Sequence, residues 1–197
     1  MINPCYGFIL TILLSLTAVT TINAATRPPS DAQQFLNVQN AARAALRLRP
    51  LVWDPKIARY ATWYANQRRA DCELEHSNGP YGENIFWGSG DRWTAAQAAG
   101  AWVSERRGYN YWSNSCVYGQ DCGHYTQIVW RGTTRIGCAR VVCYGGRGVF
   151  MVCNYDPPGN YIGERPEMVP QEGKVPGSRG LLGKGHLSVS IGASFRS

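Results

Sequence analysis

The stretch Gly123-His124-Tyr125-Thr126-Gln127-Ile128-Val129-Trp130 sets histidine, tyrosine, threonine and glutamine directly against an apolar Ile-Val-Trp run. Cys122 precedes it and Gly137-Cys138 follows it. A polar cluster that abuts a buried run, between two cysteines, is a place where a fold can hold side chains still. Downstream come two strand-like runs. Arg135 to Tyr144 carries Ile136, Cys138, Val141 and Val142, and Val149 to Tyr155 carries Phe150, Val152 and Cys153. Tyr144-Gly145-Gly146-Arg147-Gly148 reads as the hairpin connection between them.

Upstream the pattern is helical. Ser30-Asp31-Ala32-Gln33 reads as a capping box, followed by Phe35, Val38, Ala42 and Ala45 at helical spacing until Pro50. Asp54-Pro55 starts a second helix, with Ile57, Ala61 and Tyr64 on one face, running to about Ala70. Residues 71–82 form a loop, and Glu83 to Trp87 is either an extended piece or a tight turn. Thr94 opens a third helix that Gly108 ends. Helices first and strands later point to an α+β arrangement rather than alternating βαβ units.

With 197 residues, 44% of them hydrophobic, the chain suits one domain with a real core. Seven Trp and eleven Tyr make it rich in aromatics, and a formal charge of +7 favours anionic partners such as wall polymers or membrane surfaces. No Lys/Arg block is dense enough for a nucleic-acid tract. Phe8 to Val19 is almost wholly apolar and is followed by Ile22-Asn23-Ala24-Ala25, so residues 1–25 read as a signal peptide. No later stretch could span a bilayer, and the mature chain is expected outside the cytosol, as a monomer. Beyond Glu164 large apolar residues become few, so residues 167–197 are expected to be a disordered or processed extension.

Cys5 leaves with the signal, so Cys72, Cys116, Cys122, Cys138, Cys143 and Cys153 remain. Six cysteines in an oxidising compartment read as three disulfides, with fifteen pairings open. Zinc is the rival reading, but no CxxC pair is present.

Together these motifs resemble the CAP superfamily (cysteine-rich secretory, antigen 5, pathogenesis-related 1), in its plant pathogenesis-related 1 group. Residues 123–130 match one signature. Val149-Phe150-Met151-Val152-Cys153-Asn154-Tyr155-Asp156-Pro157-Pro158-Gly159-Asn160-Tyr161 matches the other. Leu51-Val52-Trp53-Asp54, His76-Ser77-Asn78, Gly82-Glu83-Asn84-Ile85 and Trp102-Val103-Ser104-Glu105 are further matching pieces. The resemblance covers roughly residues 30–166, within a domain taken as 26–166. It implies a secreted three-layer α-β-α sandwich with the pairing Cys72–Cys143, Cys116–Cys122 and Cys138–Cys153. The extension past Pro166 departs from many members. It reads as a sorting or vacuolar signal, or as the end of a signalling peptide released at Pro157.

The resemblance also implies a cleft of two histidines and two glutamates, falling here on His76, Glu83, Glu105 and His124. Imidazole nitrogen and carboxylate oxygen both suit zinc, and an incomplete shell leaves room for an activated water. The four can equally hydrogen-bond one another as a structural network, so no residue is assigned as catalytic and no cofactor is required. Tyr109, Tyr111, Trp112 and Tyr118 cluster beside the Cys116 and Cys122 positions. Such rings either line a groove for a flat lipid or pack over a thin core. The expected function is secreted plant defence through binding of a sterol or related lipid. The alternatives are a metal-dependent hydrolase built on the cleft, or a precursor of the peptide from Pro157.

Overall fold

The structure, a computed structural model, describes residues 28–166 and 193–195. The signal peptide lies outside the described residues, as does the extension apart from 193–195.

Helix α1 spans Asp31–Ala45, and the Ser30 side chain accepts from the Gln33 N–H at its start. The second half of the expected capping box does not form. Gln33 Nε2 instead reaches forward to Asn37 Oδ1 at 2.6 Å. Strand β1 (Val52–Trp53) leads to α2 (Pro55–Gln67), whose first turn is capped by Asp54 and pre-set by Pro55. The segment at Glu83 is extended, as β2 (Gly82–Ser89). In α3 (Ala95–Ser104) Thr94 and Gln97 complete a reciprocal capping box. A 3₁₀ turn at Glu105–Gly108 finishes that helix, so it reaches Gly108 only with a tightened last turn. A short hairpin, β3 (Tyr109–Asn110) and β4 (Ser115–Cys116), precedes α4 (Gly123–Ile128). Strands β5 (Arg135–Val142) and β6 (Gly148–Asp156) follow, and Ala193–Phe195 forms β7.

The main sheet has the order β1-β5-β6-β2-β7. β6 pairs antiparallel with both neighbours, and the outer pairs are parallel. Period-2 alternation along β6 divides the core into two layers. Val149, Met151, Cys153 and Tyr155 face Phe35, Trp102, Tyr125 and Ile128 from the helices on one side. Phe150 and Val152 face Ala61, Tyr64 and Ala65 of α2 on the other. This is the expected α-β-α sandwich. Gly137 lets α2 lie directly on β5, because a Cβ there would stand 2.1 Å from the Ala58 backbone nitrogen. The disulfides are Cys72–Cys143, Cys116–Cys122 and Cys138–Cys153, the pairing that the resemblance implied.

The core-facing stripe of α1 differs from the expected one. Its buried residues are Phe35, Gln39 and Arg43, an i, i+4, i+8 row, while Val38 and Ala42 are only partly buried. Arg43 is completely buried and meets no carboxylate among the described residues; its guanidinium donates to four backbone carbonyls. These are Arg49 (2.7 Å), Ile128 (2.8 Å), Trp130 (2.8 Å) and Thr133 (3.0 Å). Three of them belong to the last residue of α4 and the turn after it, and at Ile128 a helix-end carbonyl gains a partner and a cation complements the dipole. Burial pulls the Arg43 pKa down to about 10, which still leaves it charged at neutral pH.

Candidate functional site

The cleft forms where the N-terminus of α4 meets the start of β2 and the loop before it. Trp102 holds its floor. The indole is fully buried, donates to the Ile85 carbonyl at 3.1 Å, and stacks on the His124 ring at 6.0 Å between centroids. Behind that ring Glu105 accepts from His124 Nδ1 at 2.6 Å. Its second oxygen accepts the backbone N–H groups of His124 (3.1 Å) and Tyr125 (3.2 Å). The Cys122 side chain makes no cap to α4, so Glu105 caps this short helix and orients its histidine with the same carboxylate.

A parallel arrangement holds the other histidine. Glu83 Oε1 accepts from His76 Nδ1 (2.9 Å) and the Ser77 N–H (2.8 Å). Its Oε2 accepts from Ser77 Oγ (2.6 Å) and Asn154 Nδ2 (2.8 Å). Asn154 arrives through sheet register, directly opposite Glu83 across β2 and β6. Burial pushes the Glu83 carboxyl up, but the bonds from His76, Ser77 and Asn154 outweigh it and hold the group below its ordinary value.

The four predicted residues therefore form two carboxylate–imidazole pairs. Facing a carboxylate, each Nδ1 carries the proton, so the lone pair of each neutral imidazole sits on Nε2. His124 Nε2 is buried and has no hydrogen-bond partner among the described residues. It belongs to a cavity of about 20 Å³ whose lining includes His76, Glu83, Asp121, His124, Gln127 and Asn160. That volume suits one water or one ion. Glu105 stands outside the lining.

Sequence reading missed several members of this site. Asp121 Oδ1 accepts the Gly123 N–H at 2.8 Å, and its Oδ2 lies 3.9 Å from His124 Nδ1 with no hydrogen bond of its own among the described residues. Glu105, Asp121 and His124 each place one ligand atom within 4.8 Å of the others. Asn84 Nδ2 donates to the His124 carbonyl (3.1 Å) and to Tyr155 Oη (3.1 Å). Tyr155 in turn donates to Gln39 Oε1 (2.7 Å) in the core. Burial raises the Tyr155 pKa well above the tyrosine range, so it stays a neutral donor. The adjacency of Asp121 to the Cys122-Gly123-His124 run was a usable signal. Asn84 and Asn154 lie inside the matching motifs, but their partners depend on the docking of α4 against β2 and on β2–β6 register, which no local spacing shows.

The aromatic loop divides. Tyr109 turns inward, 6.1 Å from the Tyr125 ring, and donates to Asn114 Oδ1 at 2.8 Å. It lines an open groove of about 250 Å³ together with Cys116, Thr126, Trp130, Tyr161 and Pro166. Tyr111, Trp112 and Tyr118 point to solvent and do not line it. The groove's other wall is a strap from Pro157 to Pro166. Gln127 Oε1 accepts the Gly159 N–H (2.9 Å), and the Pro166 carbonyl accepts the Arg131 N–H (2.6 Å). Trp130 presses on this strap so closely that a Cβ at Gly159 would lie 2.5 Å from the indole.

Comparison with known proteins agrees with this architecture. A Medicago truncatula pathogenesis-related protein PR-1 is 61% identical over 169 residues, 82% of this chain and 97% of its own length. Pathogenesis-related protein 1A of Nicotiana tabacum is 50% identical over 163 residues, 83% of this chain and 94% of its own. The crystal structure of Na-ASP-1 shares the fold with a TM-score of 0.59 at 26% identity, covering 70% of this chain and 41% of that one. NaASP2, solved with Zn2+, superposes with a TM-score of 0.56 at 24% identity, covering 70% of this chain and 85% of that one. The profile of the cysteine-rich secretory protein family, CAP, matches residues 36–155, and the chain belongs to that family.

Proposed function

We propose that this chain is a secreted plant defence protein of the pathogenesis-related 1 type, that it acts by binding rather than turnover, and that its ligand is a sterol or related lipid. The names of its relatives support the defence class. One observation carries the choice of binding over hydrolysis. A hydrolase built on the predicted tetrad needs one of its two glutamates free to take a proton, and both are committed: Glu83 accepts four hydrogen bonds and Glu105 three, which leaves Asp121 Oδ2 as the cavity's carboxylate oxygen without a bond among the described residues. The groove between Tyr109, Trp130 and Tyr161 offers the apolar surface. Its volume falls just below the roughly 300–1,000 Å³ of sites that enclose a drug-sized ligand, so it takes one end of a lipid and leaves the rest outside. Radiolabelled sterol should bind the disulfide-intact protein saturably, and Tyr161→Ala should weaken that binding about tenfold, the value of one buried ring face. Absence of saturable binding overturns the lipid reading.

The buried, unpartnered Nε2 of His124 supports a second reading, a divalent transition metal in the cleft. His76 and His124 would hold it, with Glu83 and Glu105 as the carboxylates that orient their rings. A zinc-class ion would polarise a water there. The protein's own contribution is to fix both tautomers and to keep the cavity small. Zinc titration calorimetry should give micromolar binding that the His76→Ala/His124→Ala variant loses by about a hundredfold or more. No heat with the unaltered protein overturns it. Even with metal bound, chelator-sensitive hydrolysis is not expected.

A further inference from the structure

Six of the nine exposed large hydrophobic side chains among the described residues fall in two short segments. Tyr111 and Trp112 are in the hairpin loop, Val117 and Tyr118 directly follow β4, and Tyr161 and Ile162 are in the strap. Trp112 is 86% exposed and Tyr118 fully so. The two segments form one surface. Arg165 donates to the carbonyls of Tyr111 and Trp112 and lies over the Tyr111 ring, and Asn114 Nδ2 donates to the Glu164 carbonyl at 3.0 Å. The Cys116–Cys122 disulfide and the Val117 N–H bond to the Gly108 carbonyl (2.7 Å) pin the other end of the loop. These rings are thus held out to solvent by a braced scaffold, and little ordering entropy remains to be lost on contact. The apolar groove opens between the same two segments.

Charge selects the occupant. Arg106 and Arg107 are exposed immediately before the hairpin, Arg131 is exposed beside the strap, and Arg165 sits between the segments. Against these four cations the patch carries one exposed carboxylate, Glu164, with Asp121 half-buried in the groove wall. Trp and Tyr rings favour the boundary between headgroups and acyl chains, and nearby arginines favour anionic headgroups. We infer that this surface docks onto an anionic lipid bilayer, with Trp112 and Tyr118 entering the interface and the groove mouth facing the lipid. The inference rests on the lipid reading above and adds to it the place where lipid is met.

The test is sedimentation of the disulfide-intact protein with vesicles of phosphatidylcholine alone and with about one third phosphatidylglycerol, beside a W112S/Y118S variant. Both side chains are solvent-exposed, and an unchanged near-UV spectrum confirms the variant's fold. The expected result is binding to the anionic vesicles only, weakened by added salt and reduced about tenfold in the variant. Equal sedimentation of the variant, or none of the unaltered protein, overturns docking. So does concentration-dependent dimerisation that the same substitutions abolish while vesicles remain unbound, since the patch would then be an interface between copies. Sterol binding in vesicle-free solution separates the two ideas. If it persists without docking, only the docking surface is wrong. If docking persists without sterol binding, the groove is not the lipid site and the surface stands.

Discussion

Arg43→Met should lower the melting temperature by about 15 °C, the largest effect expected of any single side chain here. Methionine approximates the volume of the arginine stem and keeps the helix propensity of α1, so the change isolates the guanidinium. Four carbonyls then lose this donor: Ile128 and Thr133 in the interior, Trp130, which keeps the Thr133 N–H, and Arg49 at the half-buried edge. Each buried acceptor left unsatisfied costs on the order of 1–3 kcal/mol, partly offset because a buried cation no longer has to be desolvated. A net loss of about 4–5 kcal/mol follows, equivalent to that temperature shift in a domain of this size. Arg43→Lys should recover little, since an ammonium cannot span four acceptors spread around a planar fork. Because Ile128 and Trp130 flank the end of α4, zinc titration of the variant at low temperature should also show weakened binding through a loosened His124. A melting temperature within about 3 °C of the unaltered protein would mean that Arg43 is not what anchors α4.

Arg43 also marks where sequence legibility ended. Period-3.6 reading chose the apolar row Phe35, Val38, Ala42 and Ala45, and the structure rotates the helix to bury Phe35, Gln39 and Arg43. Periodicity ranks faces by hydrophobicity, and no local rule predicts that a polar side chain will be drawn inward by carbonyls 85 to 90 residues away. Where the determinant was local, reading succeeded. The caps at Ser30, Asp54 and Thr94 start the helices they were expected to start. β6 alternates between its two core layers as its own side chains dictate, and its unbroken apolar run Val149 to Cys153 is the local sign of a strand buried on both faces. The site divides in the same way. His76, Glu83, Glu105 and His124 were legible through the resemblance, because their motifs are contiguous in sequence. The partners that fix them were not. Asn154 meets Glu83 only through β2–β6 register, and Asn84 meets the His124 carbonyl only because α4 docks against β2. Sequence alone treats the aromatic loop as one unit, but only Tyr109 lies in the paired strand β3, where it packs beside Tyr125 and lines the groove, while Tyr111 and Trp112 follow in the turn and face solvent.

The second large effect concerns Glu83 and depends on pH. Glu83→Gln preserves shape and removes charge, but it presents an NH₂ where at least one of Ser77, Asn154 and His76 needs an acceptor. The side chain is 5% exposed, so water cannot fully replace the lost bonds. About 3 kcal/mol of destabilisation is expected at pH 7. The sign of the pH dependence follows from the lowered carboxyl pKa. Glu83 binds its proton more weakly folded than unfolded, so its contribution is complete above the ordinary glutamate range, about pH 4.3, and is lost as pH falls through the lower folded-state value. Thermal melts of both proteins from pH 7 to pH 3 should therefore show a gap that is constant down to about pH 5 and then closes from the wild-type side. The variant's curve keeps the slope set by the other carboxylates. A gap that stays the same at pH 3 would mean that packing rather than ionisation holds Glu83, and the account of His76 as an imidazole fixed by a carboxylate would fall with it. A closing gap would place the same carboxylate in two roles, tying the loop before β2 to the sheet and fixing the tautomer of a cleft histidine. Zinc affinity should then fall over the same acidic range, by more than protonation of free imidazole alone accounts for.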